Sequence, residues 1–100
     1  MNIVQLQVEN LPSHKMTTGI DNISYTFKFR YNQYLDVFVM DVESAILTVK
    51  GVAVRAGIDL FENYGVKYKC FFFDRLDRSN DSNMENFGIT GFVYVSWDDE

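Results

Sequence analysis

The stretch Ile23-Ser24-Tyr25-Thr26-Phe27-Lys28-Phe29-Arg30-Tyr31-Asn32-Gln33-Tyr34-Leu35-Asp36-Val37-Phe38-Val39-Met40 decides the fold class. Its first half alternates Ile23, Tyr25, Phe27, Phe29 and Tyr31 with Ser24, Thr26, Lys28 and Arg30. A period of two gives a strand one dry and one wet face. Asn32-Gln33 offers a turn, and Tyr34 to Met40 reads as a second strand, apolar on both faces. The two form a hairpin. A two-residue turn sets Phe27 opposite Phe38 but Phe29 opposite Asp36, whereas a three-residue turn sets Phe29 opposite Val37 and Phe27 opposite Val39. Pairing apolar with apolar favours the longer turn.

Working outward, a polar Asp41-Val42-Glu43-Ser44 connection leads to a strand over Ala45 to Val54, whose alternation changes phase at Gly51, the mark of a bulge. Gly57 and Gly65 bracket an ordered connection with room for a helical turn. Val66 to Asp74, Ile89 to Trp97 and an opening Ile3 to Val8 complete about six strands. With no helix between them they pair antiparallel, giving an all-β fold. Strands apolar on both faces must curl or fold over one another to stay dry, so the expectation is a small barrel or sandwich forming a single β domain over residues 1–100.

Charge and composition exclude several function classes. Nine basic residues against fourteen acidic ones give a net charge of −5, which repels phosphate backbones, so no nucleic-acid partner is expected. Lys28 with Arg30, and Lys67 with Lys69, read as solvated strand faces. The longest apolar runs, such as Val37 to Met40 and Cys70 to Phe73, have four residues, far below the ~20 that span a bilayer as a helix. The opening Met1-Asn2-Ile3-Val4-Gln5-Leu6 has neither the basic start nor the apolar stretch of a signal peptide, which predicts synthesis in the cytoplasm. A single cysteine, Cys70, excludes an intrachain disulfide.

Catalytic and metal-binding patterns fail one by one. The lone His14 sits beside Ser13 in what reads as the loop after Pro12, and adjacent residues are poorly placed as a base and nucleophile pair. Cys70 shares its strand face with Tyr68 and Phe72 and reads as a buried, inert thiol. Asp77, Ser79, Asp81, Asn83 and Glu85 alternate like a calcium loop, but Ser82 stands where the turn needs Gly and Gly88 where a bidentate Glu is needed. No glycine cluster suits a phosphate. We therefore expect no enzyme, no cofactor and no metal.

The segment from Arg75 to Gly88 is rich in Asn, Asp and Ser and lacks periodicity, so it reads as one long exposed loop of a kind usually functional or mobile. Its apolar members Leu76, Met84 and Phe87 either fold back to cap the core or dock onto another chain. Trp97 invites the same two readings, and the four together are the candidate interface.

Taken in order, the residues resemble a known family. Ile3, Gln5 and Leu6 precede Pro12; Tyr25-x-Phe27-x-Phe29-x-Tyr31-Asn32 is followed by Tyr34-Leu35-Asp36-Val37; then come Gly51-Val52, Gly57-Ile58-Asp59-Leu60, Asp74, and Gly88 before Tyr94-Val95. This pattern, spanning nearly the whole chain, is similar to the baseplate plug proteins of contractile-tailed bacteriophages, of cyanophage type. The chain departs from it at Asp41 to Ser44, where an Asp-Gly turn is usual, and at Tyr31, where Trp is commoner. The resemblance implies a virion component of the tail baseplate, present in multiple copies at the tip of the tail tube. Its partners would be hub, spike or tail tube proteins, and it would have no catalytic activity. The rival reading is a small β-barrel binding module for a glycan or peptide.

Overall fold

A computed structural model of the chain describes residues 1–98. Seven strands appear in chain order: β1 (Asn2–Gln5), β2 (Ser13–Ile20), β3 (Ile23–Asn32), β4 (Val37–Glu43), β5 (Thr48–Ala53), β6 (Lys69–Asp74) and β7 (Gly91–Trp97), with one 3-10 turn at Glu62–Tyr64. They form a three-stranded sheet, β1-β7-β6, and a four-stranded sheet, β2-β3-β4-β5, with antiparallel pairing throughout both. The architecture is a sandwich; among the described residues neither sheet closes into a barrel.

The inner faces follow the alternation that the sequence shows. Tyr25, Phe27 and Phe29 of β3, Phe38, Met40 and Val42 of β4 and Val49 of β5 meet Cys70, Phe72, Val93 and Val95 from the smaller sheet in one core. Leu6 and Val8 enter from the β1–β2 connection, and Leu60, Phe61 and Tyr68 from the β5–β6 connection. The rings form a continuous file through the sandwich, with Tyr68 edge-on to Tyr25 at 6.1 Å, Tyr25 stacked on Phe27 at 6.0 Å and Phe27 on Phe29 at 6.1 Å. Rings spaced in this way add to the stability that their buried area supplies.

Four sequence expectations need correction. First, Ser13 and His14, read as loop after Pro12, begin a strand, β2, that the sequence reading does not contain. Its outward residues are polar and its inward set, His14, Met16, Thr18 and Ile20, is too mixed to signal a dry face. It is held by a two-residue turn in which Asp21 and Asn22 both have positive φ, at 54° and 65°. That is the hairpin geometry short polar side chains tolerate without glycine.

Second, neither proposed register of the central hairpin occurs: Phe29 lies opposite Met40, Phe27 opposite Val42 and Asn32 opposite Val37. The loop has four residues, Gln33 to Asp36, because Asn32 closes it from within. The Asn32 Oδ1 accepts hydrogen bonds from the Tyr34 and Leu35 amides at 3.0 and 3.1 Å. Asp36 takes the left-handed conformation, φ 51°, and accepts the Tyr31 hydroxyl at 2.5 Å. Tyr34 and Leu35 are therefore loop-tip residues.

Third, Asp41-Val42-Glu43 continues β4 instead of leaving it. The connection is Ser44–Leu47, where the Ser44 hydroxyl accepts the Ile46 and Leu47 amides at 3.3 and 3.1 Å. Asp41 lies outside the core cluster, pairs with Arg30 at 3.2 Å and accepts the Gly51 amide at 2.7 Å. The bulge expected at Gly51 is present: Met40 faces Val52 and Val42 faces Val49, so Lys50 and Gly51 together oppose Asp41. Gly51 has a φ of 66°, which favours glycine.

Fourth, the segment between β6 and β7 is exposed from Arg75 to Asn80, as expected, but its second half is tied down against the core. The buried Ser82 hydroxyl donates to the Val54 carbonyl at 2.7 Å and accepts the Phe38 amide at 3.0 Å, bridging the segment to β4. Asn86 donates to Asp74 and to the Asp81 carbonyl, each at 3.0 Å, while its own carbonyl accepts from Ile89, Thr90 and Gly91. Asn10 reaches across to the Met84 and Phe87 carbonyls at 2.7 and 2.9 Å. The Asn, Asp and Ser residues that suggested an exposed loop are the ones that satisfy its backbone.

Candidate assembly surface

The two outer faces of the sandwich differ in chemistry. On the larger sheet Lys15, Thr17, Ser24, Thr26, Lys28, Arg30 and Glu43 alternate with the inward residues and are polar, as expected of a face in water, while Val37 and Val39 in the same phase of β4 are buried outside the main core cluster. Thr17 and Thr26 meet across strands at 3.3 Å and Arg30 pairs with Asp41.

On the smaller sheet the residues alternating with the core positions Cys70, Phe72, Val93 and Val95 are Phe71, Phe73, Phe92 and Tyr94, all half-buried. Phe71 stacks on Tyr94 at 5.8 Å with an interplanar angle of 19°, and Phe73 meets Tyr94 edge-on at 6.4 Å. The Tyr94 hydroxyl reaches Gln5 at 3.3 Å, Arg78 lies over the Phe73 ring at 5.6 Å, and Ile3 on β1 is more than half exposed. The apolar outer positions of β6 and β7 remain part-exposed, although Phe92 also packs against the core cluster. This departs from the expectation that both faces of such strands would be kept dry. This cluster of neighbouring rings with a polar rim makes the face a candidate contact surface.

A groove of about 330 Å³ runs along the β6 edge of this face, lined chiefly by Ile58, Phe71, Phe73, Lys69 and Arg78. Its far wall is held by the Leu60 amide, which donates to the Cys70 carbonyl at 2.6 Å, and by the Asp59 carboxylate, which accepts the Cys70 amide at 3.0 Å.

The four residues singled out from the sequence do not form one patch. Phe87 is fully buried, stacked on Phe38 at 4.1 Å and 5.2 Å from Phe29. Met84 is half-buried against the core, and Leu76 is exposed. Trp97, 5.9 Å from Tyr68, lies at the other end of β7 from the loop. The Phe71, Phe73, Tyr94 cluster was legible as the odd phase of Phe71-Phe72-Phe73. A second exposed apolar feature, Tyr34 and Leu35 at the tip of the β3–β4 hairpin, was hidden by placing them in a strand.

The titratable groups serve the structure. His14 lies on β2, its ring 5.2 Å from Phe29 and 5.9 Å from Phe87; its Nε2 accepts the Glu9 amide at 3.2 Å, and burial holds its pKa below the ordinary value. Ser13 points to the opposite side of the strand. Burial pushes the Cys70 thiol far up. Burial and a hydrogen bond to Asp21 push the Tyr68 hydroxyl up to about 12. Burial works to raise the Asp74 carboxyl, but the hydrogen bonds it accepts from the Leu76 amide, Asn80, Asn86 and Thr90 outweigh it and hold the group below the usual value. Among the described residues no three His, Cys, Asp or Glu side chains gather closely enough to hold a metal ion.

Comparison with known proteins adds a match over the full length. The family model described as "Cyanophage baseplate Pam3 plug gp18" matches residues 1–100. No curated protein matches the chain.

Proposed function

The chain belongs to the cyanophage baseplate plug family, a structural and non-catalytic family of the phage tail, and on that premise we propose that it sits in multiple copies at the tip of the tail tube. There it docks onto hub, spike or tail tube proteins through the outer face of the β1-β7-β6 sheet. The observation that carries this reading is the contrast between the two outer faces, one polar in all its exposed side chains on β2 and β3 and the other built from Phe71, Phe73 and Tyr94 packed on one another. Aromatic residues and Arg dominate interface energetics, and the alanine truncation of a central anchor costs about 2 kcal/mol or more. Arg78 over Phe73 supplies both chemistries at one point. Net charge of −5 weighs against nucleic acid as the partner.

Quantitative mass spectrometry of density-purified particles tests the proposal. The wild-type chain is expected to stay with tails through high salt in a small whole-number ratio to a hub or tube protein. Phe71→Ser and Tyr94→Ser chains that fold normally are expected to be depleted from particles, while Lys28→Ala on the opposite face is retained. A wild-type chain abundant in lysate but missing from particles would sink the plug reading. Undiminished incorporation of both aromatic variants would show that another face docks.

A further inference from the structure

We infer that the groove beside β6 receives an acidic segment of a baseplate partner, seated by one apolar side chain and flanked by carboxylates. The inference rests on the aromatic face being the docking surface and goes further by naming what that face selects. Phe71, Phe73 and Ile58 make an apolar floor, and about 330 Å³ is at the small end of binding clefts, room for a side chain or two and not for a folded element.

Charge decides the rest. Lys69 and Arg78 stand at the groove, both exposed, and neither forms an ion pair among the described residues, a state they share with Lys15, Lys28, Lys50 and Arg75; what sets them apart is the apolar floor beside them. The one acid in the lining, Asp59, turns its Oδ1 to the Phe61 and Cys70 amides, each at 3.0 Å, and so serves the wall. Arg78 is steadied over Phe73 at 5.6 Å, and stacking leaves the edge of a guanidinium free to bind a carboxylate with two hydrogen bonds. In a chain of net charge −5, a lining with two cations, Lys69 and Arg78, against one acid, Asp59, is a local reversal of sign. It favours an anionic ligand, while a second copy of equal negative charge is repelled at long range. The wall is preformed, with Ala56 donating to Asp81 at 2.7 Å and Leu60 to Cys70 at 2.6 Å, so little ordering is left for binding to impose.

The test is an NMR titration of the isotope-labelled full chain with two synthetic peptides, Ac-Asp-Asp-Phe-Asp-Asp-NH2 and its uncharged counterpart Ac-Asn-Asn-Phe-Asn-Asn-NH2. The acidic peptide is expected to shift Ile58, Lys69, Phe71 and Arg78 and to bind about tenfold more tightly at low salt, the sum of two modest exposed charge pairs. That preference is expected to vanish in a Lys69→Glu, Arg78→Glu double variant and to survive Lys28→Glu on the opposite face. Equal binding of the two peptides, binding of neither, or shifts centred on Lys15, Lys28 and Lys50 would overturn the inference. So would dilution-dependent shifts of the same groove residues in the chain alone, which would mark a second copy as the occupant. If peptides fail while Phe71→Ser chains are still lost from particles, the acidic occupant is wrong and the docking face stands. If peptides bind as expected while Phe71→Ser chains assemble normally, the groove's selectivity holds and the placement of the docking face fails.

Discussion

Truncating Phe87 to Ala removes the ring that ties the β6–β7 loop to both sheets. Phe87 is fully buried, 4.1 Å from Phe38 and 5.2 Å from Phe29 in the larger sheet and 6.1 Å from Phe72 in the smaller. Deleting a buried Phe side chain costs about 3–5 kcal/mol, more where the surroundings cannot collapse into the space. Here they cannot, because Ser82, Asn86 and Asn10 fix the loop on either side of the ring. We therefore expect a loss of about 4 kcal/mol, a large part of the roughly 5–15 kcal/mol available to a chain of this size. With a urea dependence of about 2 kcal/mol per molar, the midpoint falls by roughly 2 M. Trp97 is the sole tryptophan and packs beside Tyr68, so its fluorescence reports the transition. Leu76→Ser is the control: the side chain is 74% exposed, and its loss is expected to stay within about 0.5 kcal/mol. If Phe87→Ala costs less than about 1 kcal/mol, or Leu76→Ser costs as much as Phe87→Ala, the loop does not close the core and the argument fails.

Other outcomes follow from the same structure. Gly88 has a φ of 75°, and a Cβ there would lie 2.9 Å from the backbone of Val8, Glu9 and Asn10, so Gly88→Ala is expected to cost more than about 2 kcal/mol. Gly57→Ala, at φ 76° but with open space around the new carbon, is expected to cost only about 1 kcal/mol, and equal urea midpoints for the two variants would contradict the close approach. Asp74 has its folded pKa below the unfolded one, so its contribution to stability is present above the unfolded value and is lost as pH falls through the folded value. In Asp74→Asn we expect a lower melting temperature at neutral pH and a flatter acid limb; an acid limb as steep as the wild type would assign the acid sensitivity to other carboxyls. Cys70 is fully buried with its thiol pushed up by burial, so an aromatic disulfide reagent is expected to label it only in denaturant. Rapid labelling of the native chain would show that the β6 strand opens readily.

The legible parts of this fold are those where one residue's chemistry decides its own position. The alternation from Ile23 to Tyr31 identified β3 and its inward face, and the phase change at Gly51 located a bulge that the Asp41 side chain closes. Hairpin register was not legible, because it depends on Asn32 capping its own loop and Tyr31 bonding to Asp36, interactions that exist only once the turn has formed. β2 was missed for a related reason: its inward positions include His14 and Thr18, which become acceptable inside only beside β3 and the Phe87 ring. The residues read as a candidate interface divide between the core and the surface. Apolar residues in a polar loop were correctly seen to need an explanation, yet for Phe87 that explanation is the core. The aromatic outer face lay in a run, Cys70 to Phe73, where every residue is hydrophobic; reading Cys70, Tyr68 and Phe72 as the buried phase was right, and what went unread is that it leaves Phe71 and Phe73 on the outer side.

A part-exposed aromatic sheet face raises the question of how the free chain avoids pairing with itself, and the edges nearest the groove and the bulge supply part of the answer. Unpaired strand edges are the usual route to aggregation. The β6 edge is covered, with Leu60 bonded to Cys70 and Ala56 bridging to Phe72. The β5 edge is distorted by the bulge at Gly51. Net charge of −5 opposes unspecific association over the whole surface. The patch that remains is made of rings that each cover part of the next, Phe71 on Tyr94 and Tyr94 against Phe73, with Arg78 over the last. Mutual stacking reduces what each ring shows to water and holds its rotamer, so little side-chain freedom remains to be lost on docking. Such an arrangement limits the apolar area open to water in the free chain and leaves the rings pre-ordered for the docking proposed above.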